Sequence, residues 1–136
     1  MLHVLDTNTI SYAMRGEPAV VGNLRSLTPA DVAVPAIVIY ELRYGLKRLP
    51  RTAAEPRRSA LSRLLAPMRV LDFDARCAEH AAAMRAELES AGAPIGPHDI
   101  LIAATARAYG AVLVTHNTRE FNRIPSLLVL DWMQNT

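Results

Sequence analysis

The chain is short of cysteine, of lysine and of long apolar runs. Cys77 is the only cysteine. No internal disulfide is possible, and the residue reads as an inert helix position. A chain without disulfides suits a reducing cytoplasm. No apolar stretch approaches the roughly 20 residues that a membrane helix requires. The longest, residues 32–40, is interrupted by Pro35. The first residues show no basic region followed by an apolar segment and a cleavage site, so no signal peptide is expected. Lys47 is the only lysine. Acid is nearly missing from residues 43–69, where Arg43, Lys47, Arg48, Arg51, Arg57, Arg58, Arg63 and Arg69 face Glu55 alone. That segment carries +7 in a chain of net +2, which leaves −5 for the rest. Arginine suits bidentate phosphate contacts. The plainer reading of such a run is a solvated helix face.

What is present is a globular pattern. The 136 residues are 51% hydrophobic, enough for one domain over residues 1–136 with one core. Short apolar runs at residues 2–5, 31–34, 70–71, 111–115 and 127–130 predict strands. Helical patterns are expected over 9–15, 18–27, 36–49, 54–65, 74–91 and 99–109, with one further turn at 118–122. Prolines at 18 and 35 stand where helices open, and Gly16, Gly92 and Gly110 where they close. Strands alternating with helices predict a mostly parallel sheet of four or five strands in a three-layer α/β/α arrangement. The order of the strands is not readable.

The chemistry centres on Asp6. The run Leu2-His3-Val4-Leu5 ends on this carboxylate, and Thr7 and Asn8 follow as possible helix caps. Packing does not call for an acid there. In open parallel sheets, however, ligands bind at the carboxyl ends of strands. Glu41 is the second candidate, embedded in the apolar run 36–42. It is either a helix-surface acid or a paired one, since an isolated buried carboxylate is costly. Asp99 is the third. It leads directly into Ile100-Leu101-Ile102-Ala103-Ala104. Helix amides would favour its ionised form, and capping alone would also explain its type. The group Thr115-His116-Asn117-Thr118-Arg119-Glu120 follows the strand over 111–115 and adds Thr115, Asn117 and Glu120. Asn117 also suits a plain turn.

Convergence of these groups would require a cation. Two carboxylates 4 Å apart repel by roughly 4 kcal/mol at an effective dielectric of 20. Oxygen ligands in this number suit Mg²⁺ or Mn²⁺ rather than Zn²⁺. Such ions serve phosphate chemistry. A zinc site on His98 and His116 is disfavoured, since neither has a partner at ligand spacing. A phosphotransferase of the haloacid-dehalogenase type would need an acid two residues after Asp6 and a late lysine. Asn8 and the solitary Lys47 argue against it.

Four stretches resemble the PIN-domain ribonucleases, and within them the VapC toxins of bacterial toxin–antitoxin pairs. They are Leu5-Asp6-Thr7-Asn8, Tyr40-Glu41-Leu42-Arg43-Tyr44-Gly45, Gly96-Pro97-His98-Asp99-Ile100, and Thr115-His116-Asn117-Thr118-Arg119-Glu120-Phe121. The resemblance implies a PIN-domain-like fold and a Mg²⁺- or Mn²⁺-dependent endoribonuclease. It places the metal-holding acids on Asp6, Glu41 and Asp99, supported by Thr7, Asn8 and Thr115. The family often carries a fourth acid where this chain has Asn117, and Glu120 is the candidate replacement. A PIN-like module without catalysis, binding RNA or protein, is the alternative that Asn117 leaves open. The resemblance further implies a VapB-type antitoxin that covers the site. It also implies a homodimer, with the third and fourth helices as candidate surfaces. Arg43, Lys47, Arg48 and Arg51 would hold the RNA backbone.

Overall fold

The computed structural model describes residues 1–134. Five strands form one sheet in the order β3-β2-β1-β4-β5, and every neighbouring pair is parallel. They are β1 (His3–Leu5), β2 (Val32–Pro35), β3 (Arg69–Leu71), β4 (Val112–Val114) and β5 (Leu128–Leu130). β1, β2 and β4 are the apolar ones. Val4, Leu5, Ala33, Val34, Leu113 and Val114 are fully buried, as strands covered on both faces require. β3 and β5 are edges, and their side chains are more exposed.

Among the described residues seven α-helices connect them: α1 (Thr7–Met14), α2 (Pro18–Arg25), α3 (Ala36–Lys47), α4 (Arg51–Leu65), α5 (Ala75–Ser90), α6 (Pro97–Ala108) and α7 (Thr118–Phe121). Right-handed crossovers place α1 to α4 over one face and α5 to α7 over the other. The packing agrees, with α1 against α2, α3 and α4, and α5 against α6. Ile100, Ile102, Ala103, Ala104 and Ala106 are all buried, so α6 is apolar nearly all round and sits in the core. Among the described residues no helix is long and apolar enough to cross a membrane.

The expected fold class is borne out, with differences at several helix ends. α1 starts at Thr7, because Asp6 and neither Thr7 nor Asn8 is its N-cap; Asp6 Oδ1 accepts from the Thr9 N–H at 2.9 Å. α4 starts at Arg51 and runs through Pro56. Pro50 O caps it by accepting from the Ala53 and Ala54 N–H groups. Pro56 is exposed and forfeits only one helix bond, so the helix tolerates it. α6 starts at Pro97, a first-turn proline, rather than at Asp99. α3 departs from expectation in its outer face. Val38 and Leu46 point inward, while Tyr40, Arg43, Tyr44, Lys47 and Arg48 are exposed. That face is aromatic and basic, not apolar.

Strand order decides where the site lies. The chain leaves β1 for β2 on one side and later returns to β4 on the other. The crevice at such a reversal opens at the carboxyl ends of β1 and β4. Asp6 and Thr115 are the residues that follow those ends.

Candidate active site

Asp6 is 5% exposed. Its backbone N–H donates to Val114 O at 3.2 Å, which locks it to β4. Its carboxylate accepts from the Thr9 N–H, and the nearby Thr115 and Thr9 hydroxyls favour its charged form. Burial nevertheless pushes its pKa above the usual carboxylate value, and these donors only partly offset it. The Thr9 hydroxyl also lies 3.1 Å from Val114 O. Thr9→Val keeps the shape and the capping N–H but removes this hydroxyl. A loss of about 1 kcal/mol is expected, read from the urea midpoint.

Glu41 stands on α3 and is shared between two elements. Thr7 Oγ1 donates to its Oε1 at 2.6 Å. His98 Nδ1, on α6, lies 3.3 Å from its Oε2. This is why an acid in an apolar helix is tolerated: neither oxygen is unpartnered. Glu120, in α7, is held just as firmly. Its Oε1 accepts from the Gly96 N–H and its Oε2 from Asn117 Nδ2, both at 3.0 Å. Asn117 thus positions the acid beside it, and its own N–H is held by Thr115 Oγ1 at 3.0 Å.

Asp99 completes the set. The helix N-terminus was expected to favour its ionised form, and the structure reverses this. Its pKa is raised to about 6, first by burial, then by the negative charge of Glu120, with Glu41 and Asp6 adding to it. The dipole of one helix end is smaller than the sum of desolvation and three carboxylates. Glu120 moves the opposite way, because the Gly96 and Asn117 donors stabilise its charge. Asp99 is therefore the weaker acid of the two.

Asp6, Glu41, Asp99 and Glu120 consequently face one another at the carboxyl end of the sheet, with Thr7, Thr115 and Asn117 bonded among them. Asn8 is exposed on the first turn of α1. Arg43, Lys47 and Arg48 are exposed on α3, and Arg51 opens α4 beside Glu55 at 3.9 Å. His98 lies against Glu41 at 3.3 Å and His116 against Asp131 at 3.0 Å. Three contributors were not foreseen. Thr9, Gly96 and His98 act through a hydroxyl, a backbone N–H and a long-range ring contact. Only the Gly-Pro pair at the mouth of α6 hinted at one of them.

The donor set fits a hard divalent cation. It is made of oxygens, it lacks thiolate, and it carries more negative charge than it neutralises. Among the described residues no three of these side chains yet close to ligating distance.

A parallel sheet in this order, ending on four acids, defines a PIN domain, and the family model for the PIN domain matches residues 3–127. Ribonuclease VapC2 of Rickettsia felis is 38% identical over 134 residues, covering 97% of this chain and 98% of its own. The tRNA(fMet)-specific endonuclease VapC of Salmonella typhimurium is 35% identical over 129 residues, covering 95% and 96%. The crystal structure of VapBC2 from Rickettsia felis bound to a promoter DNA fragment superposes with a TM-score of 0.89, at 36% identity, over 97% of this chain and 99% of that one. The chain belongs to the VapC ribonucleases of the PIN-domain family.

Proposed function

We propose that this ribonuclease is a Mg²⁺- or Mn²⁺-dependent endoribonuclease toxin of the cytoplasm, cutting single phosphodiester bonds in cellular RNA. The observation that carries the metal is Asp99. Burial raises its carboxyl to about 6 and the negative charge of Glu120, Glu41 and Asp6 adds to this, which marks a site with a surplus of negative charge. Asp6, Asp99 and Glu120 would hold the ion, and Glu41 would join them or orient water from its fixed place between Thr7 and His98. When bound, the ion supplies water of lowered pKa and neutralises charge on the phosphate. The protein's part is placement. Asp6 is fixed by its capping bond, Glu120 by Gly96 and Asn117, and Asn117 in turn by Thr115 Oγ1, which accepts from its backbone N–H. Water adds to phosphorus in line as the bond to the leaving oxygen breaks, and that oxygen takes up a proton. Glu120 supplies the charge that Asn117 lacks. That charge favours a catalytic chain over a module without catalysis.

The partners follow from the family. A VapB-type antitoxin would cover the site. A groove of about 680 Å³ runs beside Glu41 between α1, α3 and α4, lined by Met14, Leu42, Leu46, Leu49 and Leu61. Its apolar floor fits the apolar face of a partner helix. Two copies of the chain would pair as a homodimer, measurable by sedimentation. The decisive experiment incubates the purified chain with cellular RNA and Mn²⁺, with and without chelator, and with the antitoxin added. Cleavage that chelator and antitoxin each stop is the expected result. Cleavage indifferent to chelator would defeat the metal. Glu120→Gln tests the fourth acid, with roughly a tenfold to hundredfold loss of rate expected.

A further inference from the structure

The outer face of α3 is not absorbed by catalysis or by the core. Tyr40 and Tyr44 are 55% and 56% exposed, the most exposed aromatic rings among the large apolar side chains described. They lie near-parallel, 18° apart in plane with centroids at 6.5 Å. At one end the His98 ring meets Tyr40 edge-on at 5.7 Å, and the same His98 contacts Glu41. At the other end the Arg48 guanidinium sits 5.6 Å from the centre of the Tyr44 ring. Glu41, His98, Tyr40, Tyr44 and Arg48 thus form one unbroken line leading out of the acidic pocket.

Helical spacing makes this a single surface. Tyr40, Arg43, Tyr44, Lys47 and Arg48 fall at i, i+3, i+4, i+7 and i+8, all exposed. Glu41 is the only acid in α3, and its oxygens are turned to Thr7 and His98. The outward charge is therefore wholly positive. A soluble surface has no reason of its own to expose two large rings side by side. Rings flanked by cations are what unpaired nucleotides require: a face for the base and a positive charge for the phosphate.

The geometry points to Tyr40 and Tyr44 as a stacking surface for unpaired bases of the RNA beside the cleaved bond, with Arg48, Lys47 and Arg43 following its backbone. This rests on the nuclease reading and adds the form of substrate: a single strand or loop, since paired bases hide their faces in the helix. The two tyrosines are positioning residues. They touch neither the acids nor the attacked phosphorus.

The test measures binding apart from cleavage. Fluorescence anisotropy follows a labelled single-stranded RNA on the full chain in excess chelator, where no cutting occurs. The double variant Tyr40→Ala, Tyr44→Ala should bind about tenfold to a hundredfold more weakly. The double variant Tyr40→Phe, Tyr44→Phe keeps both ring faces and should bind within about twofold of wild type. A duplex of the same sequence should be indifferent to either change. With Mn²⁺ the alanine pair should raise KM and leave kcat nearly unchanged. The single alanine variants serve if the pair does not fold, as judged by circular dichroism. Unaltered single-strand affinity in the alanine variants overturns the assignment. Equal weakening in the phenylalanine pair does so too, because hydroxyls and not ring faces would then be the contact. A switch from dimer to monomer in the alanine pair, with RNA affinity kept, makes this face a contact between copies instead. A wild type that cleaves RNA but binds it independently of the rings sinks only the stacking surface. A wild type that neither binds nor cleaves RNA sinks the nuclease reading itself.

Discussion

Asp6→Asn is expected to lower RNA cleavage roughly a thousandfold while leaving the fold as stable as before, or slightly more so. The two halves of this expectation have separate causes. Asparagine retains an oxygen at the place of Oδ1, so the Thr9 N–H keeps its partner and α1 keeps its cap. Burial already disfavours the charged form of Asp6, so removing the charge relieves the protein. The pocket, however, loses the acid at its centre, and a divalent ion would lose a ligand. Each 1.36 kcal/mol of lost transition-state stabilisation is tenfold in rate, and ion-mediated charge stabilisation amounts to several kcal/mol. The measurement pairs a cleavage assay and growth arrest on expression with a thermal melt. Unchanged cleavage would end the assignment of Asp6. A collapsed melt would show that the acid is needed for folding rather than chemistry.

The second large effect is a coupling of pH, cation and stability. The folded pKa of Asp99 is about 6, above its ordinary value of 3.8. A carboxyl so raised stabilises the fold below the lower value, and that contribution is lost as pH rises through the upper one. The metal-free chain should therefore be more stable at pH 5 than at pH 7.5, by about 1 kcal/mol or less after allowance for solvent screening of a half-buried group. Asp99→Asn should abolish most of this slope. Mn²⁺ should restore stability at pH 7.5, by about 2.7 kcal/mol at a hundred times its dissociation constant. Below about pH 6 a proton on Asp99 competes with the ion, and affinity should fall up to tenfold per pH unit. Calorimetric melts across pH, with and without Mn²⁺, read all of this. A metal-free protein that is more stable at pH 7.5 than at pH 5 would refute the account of Asp99.

How far the site was legible in the sequence follows from where each signal is stored. Asp6, Glu41 and Asp99 stood out because a carboxylate inside or at the end of an apolar run conflicts with its surroundings, and that conflict is local. The strands over β1, β2 and β4 were legible for the same reason, being short apolar runs between breakers. The cap on α1 was misread because Asp6, Thr7 and Asn8 all suit the role, and only the backbone angles of the folded chain choose among them. The ionisation of Asp99 was misread because both its causes, burial first and then remote charge, arise only on folding. Glu120, Glu41 and Asp6 are distant in the chain, and their joint charge exists only once β1 lies beside β4. Gly96 was only hinted at, by the proline that follows it, since a backbone N–H carries no side-chain mark. Strand order is likewise a property of which edges meet, and the pattern along each strand does not encode it.

Asp6 serves two masters, one at the start of α1 and one in the acidic pocket, and this constrains which changes the position tolerates. Lengthening it by a single methylene, as in Asp6→Glu, preserves the charge but cannot satisfy both at once. Either the helix start unravels or the carboxylate overshoots its companions. The conventional notion of a conservative swap is thus inverted at this position, where the neutral amide of equal length leaves the architecture sound and the acid of unequal length does not.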